Sequence, residues 1–152
     1  MQIPQLIHIA DLKVTVGDPI EVGDTGSGFR RIIPILGGTA TGPKMNGKIL
    51  PGGADYQILR QDGVTELDAR YVIECEDHAR IYVQNFGLRH GPPELMERLR
   101  RGEPVDPKLI YFRATPRFET SAPDYSWLTK HIFVCEGARR PKLVELAFYQ
   151  VL

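Results

Sequence analysis

The sequence predicts an all-β fold, a barrel or sandwich of roughly nine or ten short antiparallel strands in a single domain. Three observations predict it. Runs of strand-forming residues recur along the whole chain, separated by short clusters of Gly, Asp, Asn and Pro. Glycines fall inside several of those runs, where they let a sheet bend sharply. One segment alone, around residues 92–101, has the pattern of a helix.

The first run, Leu6 to Val16, alternates cleanly in its second half, where Leu12, Val14 and Val16 interleave with polar residues. Gly17-Asp18-Pro19 breaks it, and Gly23 to Gly28, reading GDTGSG, forms a turn. That turn is not a phosphate loop, because neither a Lys-Ser or Lys-Thr pair nor a helix pattern follows it. Phe29 to Leu36 is a strand with Pro34 inside. Proline has no N–H to give a ladder, so this position is an edge, a bulge or a bend. Short strands at Thr39 to Thr41 and Lys44 to Leu50 follow, the latter interrupted by Gly47.

Residues Pro51 to Leu88 organise the rest, with strand runs at Ala54–Gln61, Val64–Glu76 and Ala79–Leu88. Asp62-Gly63 is a strong two-residue hairpin signal, because a type I′ turn needs positive φ at both central residues. Asp77-His78 is a weaker signal of the same kind. Two-residue loops at both places put Asp55, Arg70 and Asn85 in one row across three strands, with Gln57 and Asp68 on the same face and Leu59, Val72, Ile81 and Val83 as its apolar part. The opposite face then carries Tyr56, Ile58, Leu67, Ala69, Tyr71, Ile73, Cys75, Tyr82 and Phe86. Alternation ordinarily means apolar-in and polar-out, which leaves the charged row in water. In a barrel the same row can line a cup.

Pro92 to Arg101 has prolines suited to a first turn, an early Glu94 and late arginines, with Gly102 as a stop. Leu109 to Glu119 is a strand disturbed by Pro116, and Tyr125 to Leu128 forms a turn of helix after Asp124. His131–Glu136 and Leu143–Val151 close the sheet around a turn at Gly137–Lys142.

At 152 residues the chain is long enough to bury one core. With 19 basic and 19 acidic residues it carries no net charge, which argues against a nucleic-acid partner. No apolar run is long enough for a helical membrane span, and the N-terminus lacks the marks of a signal peptide. The expected location is therefore the cytoplasm, with Cys75 and Cys135 as reduced, unpaired thiols. The histidines His8, His78, His90 and His131 form no paired ligand motif, so no metal is expected. No dinucleotide fingerprint is present and no cofactor is expected.

Four stretches carry a resemblance: GGTATGPKMNGKILPGGADYQ, LDARYVIE, IYVQNFGLR and YFRATPRFET with YSWL after it. They resemble the bacterial and fungal family UPF0311, also called domain of unknown function 3237, over nearly the whole chain from Gly28 to Val151. Tyr56 stands where the family pattern leads one to expect tryptophan, so an aromatic is retained. The resemblance implies a single-domain, calycin-like antiparallel β-barrel. Barrels of about this size often hold one small ligand, which favours the cup.

The candidate catalytic residues are Asp55, Asp68 and Arg70, a carboxylate for proton transfer and a guanidinium to tune it or to hold an oxyanion. Candidate ligand-binding residues are Arg30, Asn85, Tyr111, Arg113, Glu119, Tyr125 and Trp127. The ordinary role of such arginines and acids is a structural pair, and that of Tyr125 and Trp127 is core anchoring. Three functions compete: a metal-independent isomerase, (de)hydratase or cyclase acting on a polar or carboxylated metabolite, a non-catalytic binding or carrier protein, and a structural homo-oligomer joined through the face of Tyr56, Tyr71, Ile73, Tyr82 and Phe86. The expected partner is a small molecule.

Overall fold

The computed structural model describes residues 1–152. It contains β1 (Leu6–Val16), β2 (Ile20–Asp24), β3 (Phe29–Thr41), β4 (Gly47–Ile49), β5 (Gly53–Leu59), β6 (Thr65–Cys75), β7 (Arg80–His90), α1 (Pro93–Arg100), β8 (Tyr111–Thr120), β9 (Phe133–Arg140) and β10 (Leu143–Val151), with short 3-10 turns at Pro107–Leu109 and Pro123–Thr129. All pairings are antiparallel, and β1 pairs with both β10 and β3, so the sheet closes on itself. Seven staves are single strands, and β4 and β5 share the eighth between β3 and β6.

The sharing of one stave follows from β3. Its first half pairs with β5 and its second half with β4 and β1. Gly38, at φ 143°, lies at the change of direction, and a Cβ there would fall 2.1 Å from the Lys13 carbonyl oxygen. Only glycine lets β1 approach so closely. Pro34 sits where the β2 pairing, last at Ile32, gives way to the β1 pairing, first at Ile35, so its missing N–H interrupts no ladder.

The interior is one apolar core that includes Ile9, Leu12, Val14, Ile33, Ile73, Ile81, Val83 and Phe148. Its two ends differ. At one end Phe118 meets Phe133 edge-on at 5.0 Å and Phe148 at 5.8 Å. The Pro123–Thr129 turn closes this end with the buried Leu128, while Trp127 packs on Phe133 at 5.9 Å and under the Lys44 ammonium at 5.1 Å. At the other end the buried residues are polar, Arg31, Gln57, Thr65 and Arg89, and α1 lies beside them. Proline at the first helical position, Glu94 in the first turn, Arg98 and Arg100 in the last, and Gly102 at φ 78° define that helix. Leu99 is its buried side chain.

The hairpin register differs from the two-residue reading. Leu59 pairs with Thr65 and Asp55 with Ala69, so the first loop holds three residues, Gln61 to Gly63. Glu74 pairs with Arg80, and the Cys75 N–H donates to the Ala79 carbonyl, so the second loop is Glu76 to His78. The loops are built alike. The third residue has positive φ, 88° at Gly63 and 66° at His78, and the central aspartate accepts the N–H two residues on, Asp62 from Val64 and Asp77 from Ala79, each at 3.1 Å. A turn closed by a left-handed third residue is the usual three-residue hairpin. Each loop shifts the pairing by one residue, and one residue turns every side chain over.

The face assignment changes accordingly. The two slips cancel between β5 and β7, so Asp55 and Asn85 still share a face, in the row Asp55–Ala69–Asn85. They do not cancel for β6. Leu67, Ala69, Tyr71, Ile73 and Cys75 point inward, and Asp68 and Arg70 point outward. Tyr71 and Ile73 are buried, so the expected oligomer face loses them, whereas Tyr56 and Phe86 are indeed exposed. Cys75 and Cys135 are both buried free thiols. No helix is long and apolar enough to cross a membrane.

Candidate functional site

A cavity of ≈ 50 Å³ lies inside the barrel toward the α1 end. Val14, Val16, Ile33, Ile35, Leu67, Phe112 and Leu146 form its apolar wall, and Asp55, Gln57, Tyr71, Asn85, Arg89 and Arg139 its polar one. Apolar walls with a few convergent polar groups are the usual lining of a small-molecule site, and at ≈ 50 Å³ this one has room for a small group and not for a whole metabolite.

Asp55 is held by a defect in the ladder. The β5–β6 register is continuous at Ala54–Arg70 and Asp55–Ala69 and resumes at Ile58–Glu66, with no pairing between. The N–H of Asp68, released there, donates to Asp55 Oδ1 at 2.9 Å, and Gln57 Nε2 donates to Oδ2 at 2.8 Å. Both donors are neutral. Burial pushes the Asp55 carboxyl above its ordinary 3.8, against the opposing pull of the Gln57 hydrogen bond, Arg89 and the Asp68 N–H.

Arg89 is 6% exposed and its guanidinium lies 5.7 Å from the Phe112 ring. Burial lowers its pKa to about 10, with Asp55 acting the other way and Arg139 and Arg31 reinforcing the drop. Burial likewise lowers Arg139, then repulsion from Arg31. Four buried side-chain atoms lack any hydrogen-bond partner: Arg31 Nε, Tyr71 OH, Asn85 Oδ1 and Arg89 Nε. Buried polar groups are nearly always satisfied, and three of the four exceptions, on Tyr71, Asn85 and Arg89, line this one cavity.

Of the residues expected from sequence, Asp55 and Asn85 are in this cavity. Asp68 contributes its backbone N–H, but its carboxylate faces outward and takes Arg70 Nη2 at 3.0 Å. Arg70 is exposed, and so is on the opposite side of the sheet from Asp55. Arg30 also points away, bonded to the Tyr56 carbonyl at 3.4 Å. Tyr111 is exposed and stacked on His90 at 4.8 Å, Arg113 pairs with Glu136 at 3.4 Å on the outer surface, and Glu119 is exposed. Tyr125 and Trp127 pack against the core at the far end. Gln57 had been placed beside Asp55 without a role. Arg31, Tyr71, Arg89 and Arg139 were missed as site residues. The signal for Arg89 was in the sequence: it continues the inward series Ile81, Val83, Asn85, Gly87 with a period of two.

Fold and site together define a closed antiparallel β-barrel with a polar-walled internal cavity. The chain belongs to the family described as "Protein of unknown function (DUF3237)", which matches residues 4–151. It is 49% identical over 145 residues to a "UPF0311 protein" of Rhodopseudomonas palustris, covering 95% of each chain. Among solved structures it is similar to a conserved protein of unknown function from Rhodopseudomonas palustris, at TM-score 0.96 and 46% identity over the full length of both chains. It is similar also to "a beta-barrel like protein" from Acinetobacter baumannii, at TM-score 0.88 and 42% identity, covering 100% of this chain and 98% of the other. A structure described as "an enzyme from Penicillium herquei" shares the fold at TM-score 0.73 and 20% identity, covering 98% and 95% of the two chains.

Proposed function

We propose that the barrel is an acid–base enzyme that works with its own side chains on a small polar or carboxylated metabolite, by isomerisation, (de)hydration or cyclisation. The observation that carries this reading is one ionisable carboxyl, Asp55, on the wall of an apolar cavity beside the unpartnered atoms of Tyr71, Asn85 and Arg89. A carrier would use the same unpartnered groups but has no need of a carboxyl with a raised pKa. Perturbed carboxyls in clefts are common among proton-transfer groups.

The chemistry follows from the groups. Ionised Asp55 removes a proton from carbon next to a carbonyl. The C–H electrons form a carbon–carbon double bond, and the carbonyl π pair moves onto oxygen. Arg89 donates to that oxygen, where negative charge develops and where a preset donor lowers the barrier most. Where the substrate carries a carbon–carbon double bond β,γ to the carbonyl, the oxygen pair then re-forms the C=O and the enolate double bond moves to the α,β position. The electrons of the β,γ bond take the proton back from Asp55 at the γ-carbon, which completes an isomerisation. Tyr71 and Asn85 orient the substrate through their free hydroxyl and carbonyl oxygen.

The test is proton exchange from a panel of small enolisable keto acids in deuterated buffer, read by NMR. The expected result is catalysed deuterium uptake at the carbon next to the carbonyl for at least one of them. Asp55→Asn should lower that rate by about 10²–10⁴, the usual range for losing a general base. Uptake unchanged in Asp55→Asn overturns the assignment.

A further inference from the structure

We propose that the cleft between α1 and the hairpin joining β5 to β6 is the anion-binding entrance to the cavity, and that its ligand is a monocarboxylic acid with a compact apolar body. The inference rests on the reading of the cavity as a binding site and adds the ligand's charge, its orientation and the residues that read them.

The cleft has a volume of ≈ 500 Å³ and is lined by Phe29, Arg31, Thr65, Arg89, Glu97 and Arg100 among others. Arg89 lines both the cleft and the cavity, so the two spaces adjoin at this residue. Arg31 and Arg89 are 4% and 6% exposed, and the Nε of each is without a partner. Two buried guanidinium groups with unsatisfied donors at one junction call for an acceptor that the chain does not supply. The carboxylates nearby are otherwise engaged. Asp62 binds Arg60, and Glu97 lies 3.6 Å from Arg101. Glu21 approaches Arg31 Nε only to 3.9 Å and is itself half exposed.

Charge selects a monoanion. Arg31, Arg89, Arg139 and Arg100 are the cations here and Asp55, Glu21 and Glu97 their counter-charges, four against three, which leaves one positive charge in excess. One carboxylate cancels it. A carboxylate also has the planar pair of oxygens that a guanidinium fork grips with two parallel hydrogen bonds. Behind Arg89 the cavity holds only ≈ 50 Å³, less than a ring needs, so the carboxylate meets Arg31 and Arg89 at the cavity mouth and the apolar body lies in the cleft beside Phe29 and Met96. Arg100, stacked on Phe29 at 4.4 Å, extends the positive rim on the helix side.

Isothermal titration with three probes tests this: benzoate, its neutral counterpart benzyl alcohol, and inorganic phosphate. Wild-type protein should bind benzoate at least tenfold more tightly than benzyl alcohol, with no saturable binding of phosphate. Arg31→Gln should weaken benzoate at least tenfold and leave benzyl alcohol unchanged, and Arg31→Lys, which keeps the charge without the fork, should fall between. Circular dichroism of both variants establishes that they are folded. Equal affinity for benzoate and benzyl alcohol overturns this inference while leaving the cavity reading intact. Phosphate binding as tightly as benzoate overturns the carboxylic acid class. Failure of both organic probes to bind overturns this inference and the cavity reading together.

Discussion

Asp55 and Arg89 sit in surroundings that penalise their charges, and each penalty predicts a measurable change in stability. Burial raises the Asp55 pKa above 3.8, so between that value and its folded one the native state holds a proton that the unfolded chain has released. Stability contributed by this group is complete below 3.8 and declines as pH rises through the folded pKa. Asp55→Asn has no proton to lose. The difference in melting temperature, variant minus wild type, should therefore grow between pH 4 and 8. A difference that shrinks over the same range would mean that the ionised carboxylate is favoured in the fold. Arg89 remains charged at neutral pH, and a pKa lowered from 12.5 to about 10 corresponds to a penalty of about 3 kcal/mol. Arg89→Met combined with Asp55→Asn should accordingly gain about 1–3 kcal/mol in urea titration, since replacing a buried charge together with its counter-charge is often stabilising, whereas Arg89→Met alone strands Asp55 and should lose stability. A gain in the single variant would mean that Asp55 does not depend on Arg89.

At the scale of the element, the two hairpin loops decide which side chains meet. Gly63, at φ 88°, has no atom within 4 Å of where a Cβ would be, so Gly63→Val is penalised by backbone conformation alone. The expected loss is about 1–2 kcal/mol. His78 holds the equivalent place at φ 66° without glycine's freedom, and His78→Gly should gain up to about 1 kcal/mol. Paired chemical denaturation curves check both, and equal effects of the same sign would contradict the equivalence of the loops. These loops also explain what the sequence revealed. Strand positions, the single helix and the glycine bend of β3 follow from local residue types, which act over a few neighbours. An Asp-Gly pair, however, suits both a two-residue and a three-residue loop, and the choice between them is made by the pairing of whole strands. Asp55 and Asn85 were grouped correctly because two slips of one residue cancel across β6. Arg70 was grouped wrongly because only one slip separates it from Asp55. Arg139 reaches the site through barrel closure, which no local pattern encodes, whereas Arg31 begins the inward series Ile33 and Ile35 on β3 and lies opposite Gln57.

Over the whole molecule the barrel is not uniformly sealed. The ladder runs unbroken through ten pairs between β7 and β8 and eight between β9 and β10, yet β8 and β9 are joined only at Arg113–Glu136 and Ala114–Cys135. Two residues past Ala114 stands Pro116, which has no N–H to offer. On the other side the Phe112 ring lies over Gly137, where a Cβ would come within 2.6 Å of it. Phe112 and Ala114 line the cavity, so the weakest seam of the barrel is also part of the site wall. Backbone groups outside a ladder open at low free energy, and amide exchange reports this directly. Within β9, the N–H groups turned toward β8 beyond the two paired positions should exchange much faster than those bonded to β10. Gly137→Ala should then push Phe112 from its place, at a loss of about 1–3 kcal/mol, as overpacking usually does. Because the Arg89 guanidinium lies 5.7 Å from that ring, the same substitution should weaken benzoate binding by the titration described above. If Gly137→Ala destabilises the barrel and leaves benzoate affinity unchanged, the seam is a feature of the fold alone and the ligand makes no use of Phe112.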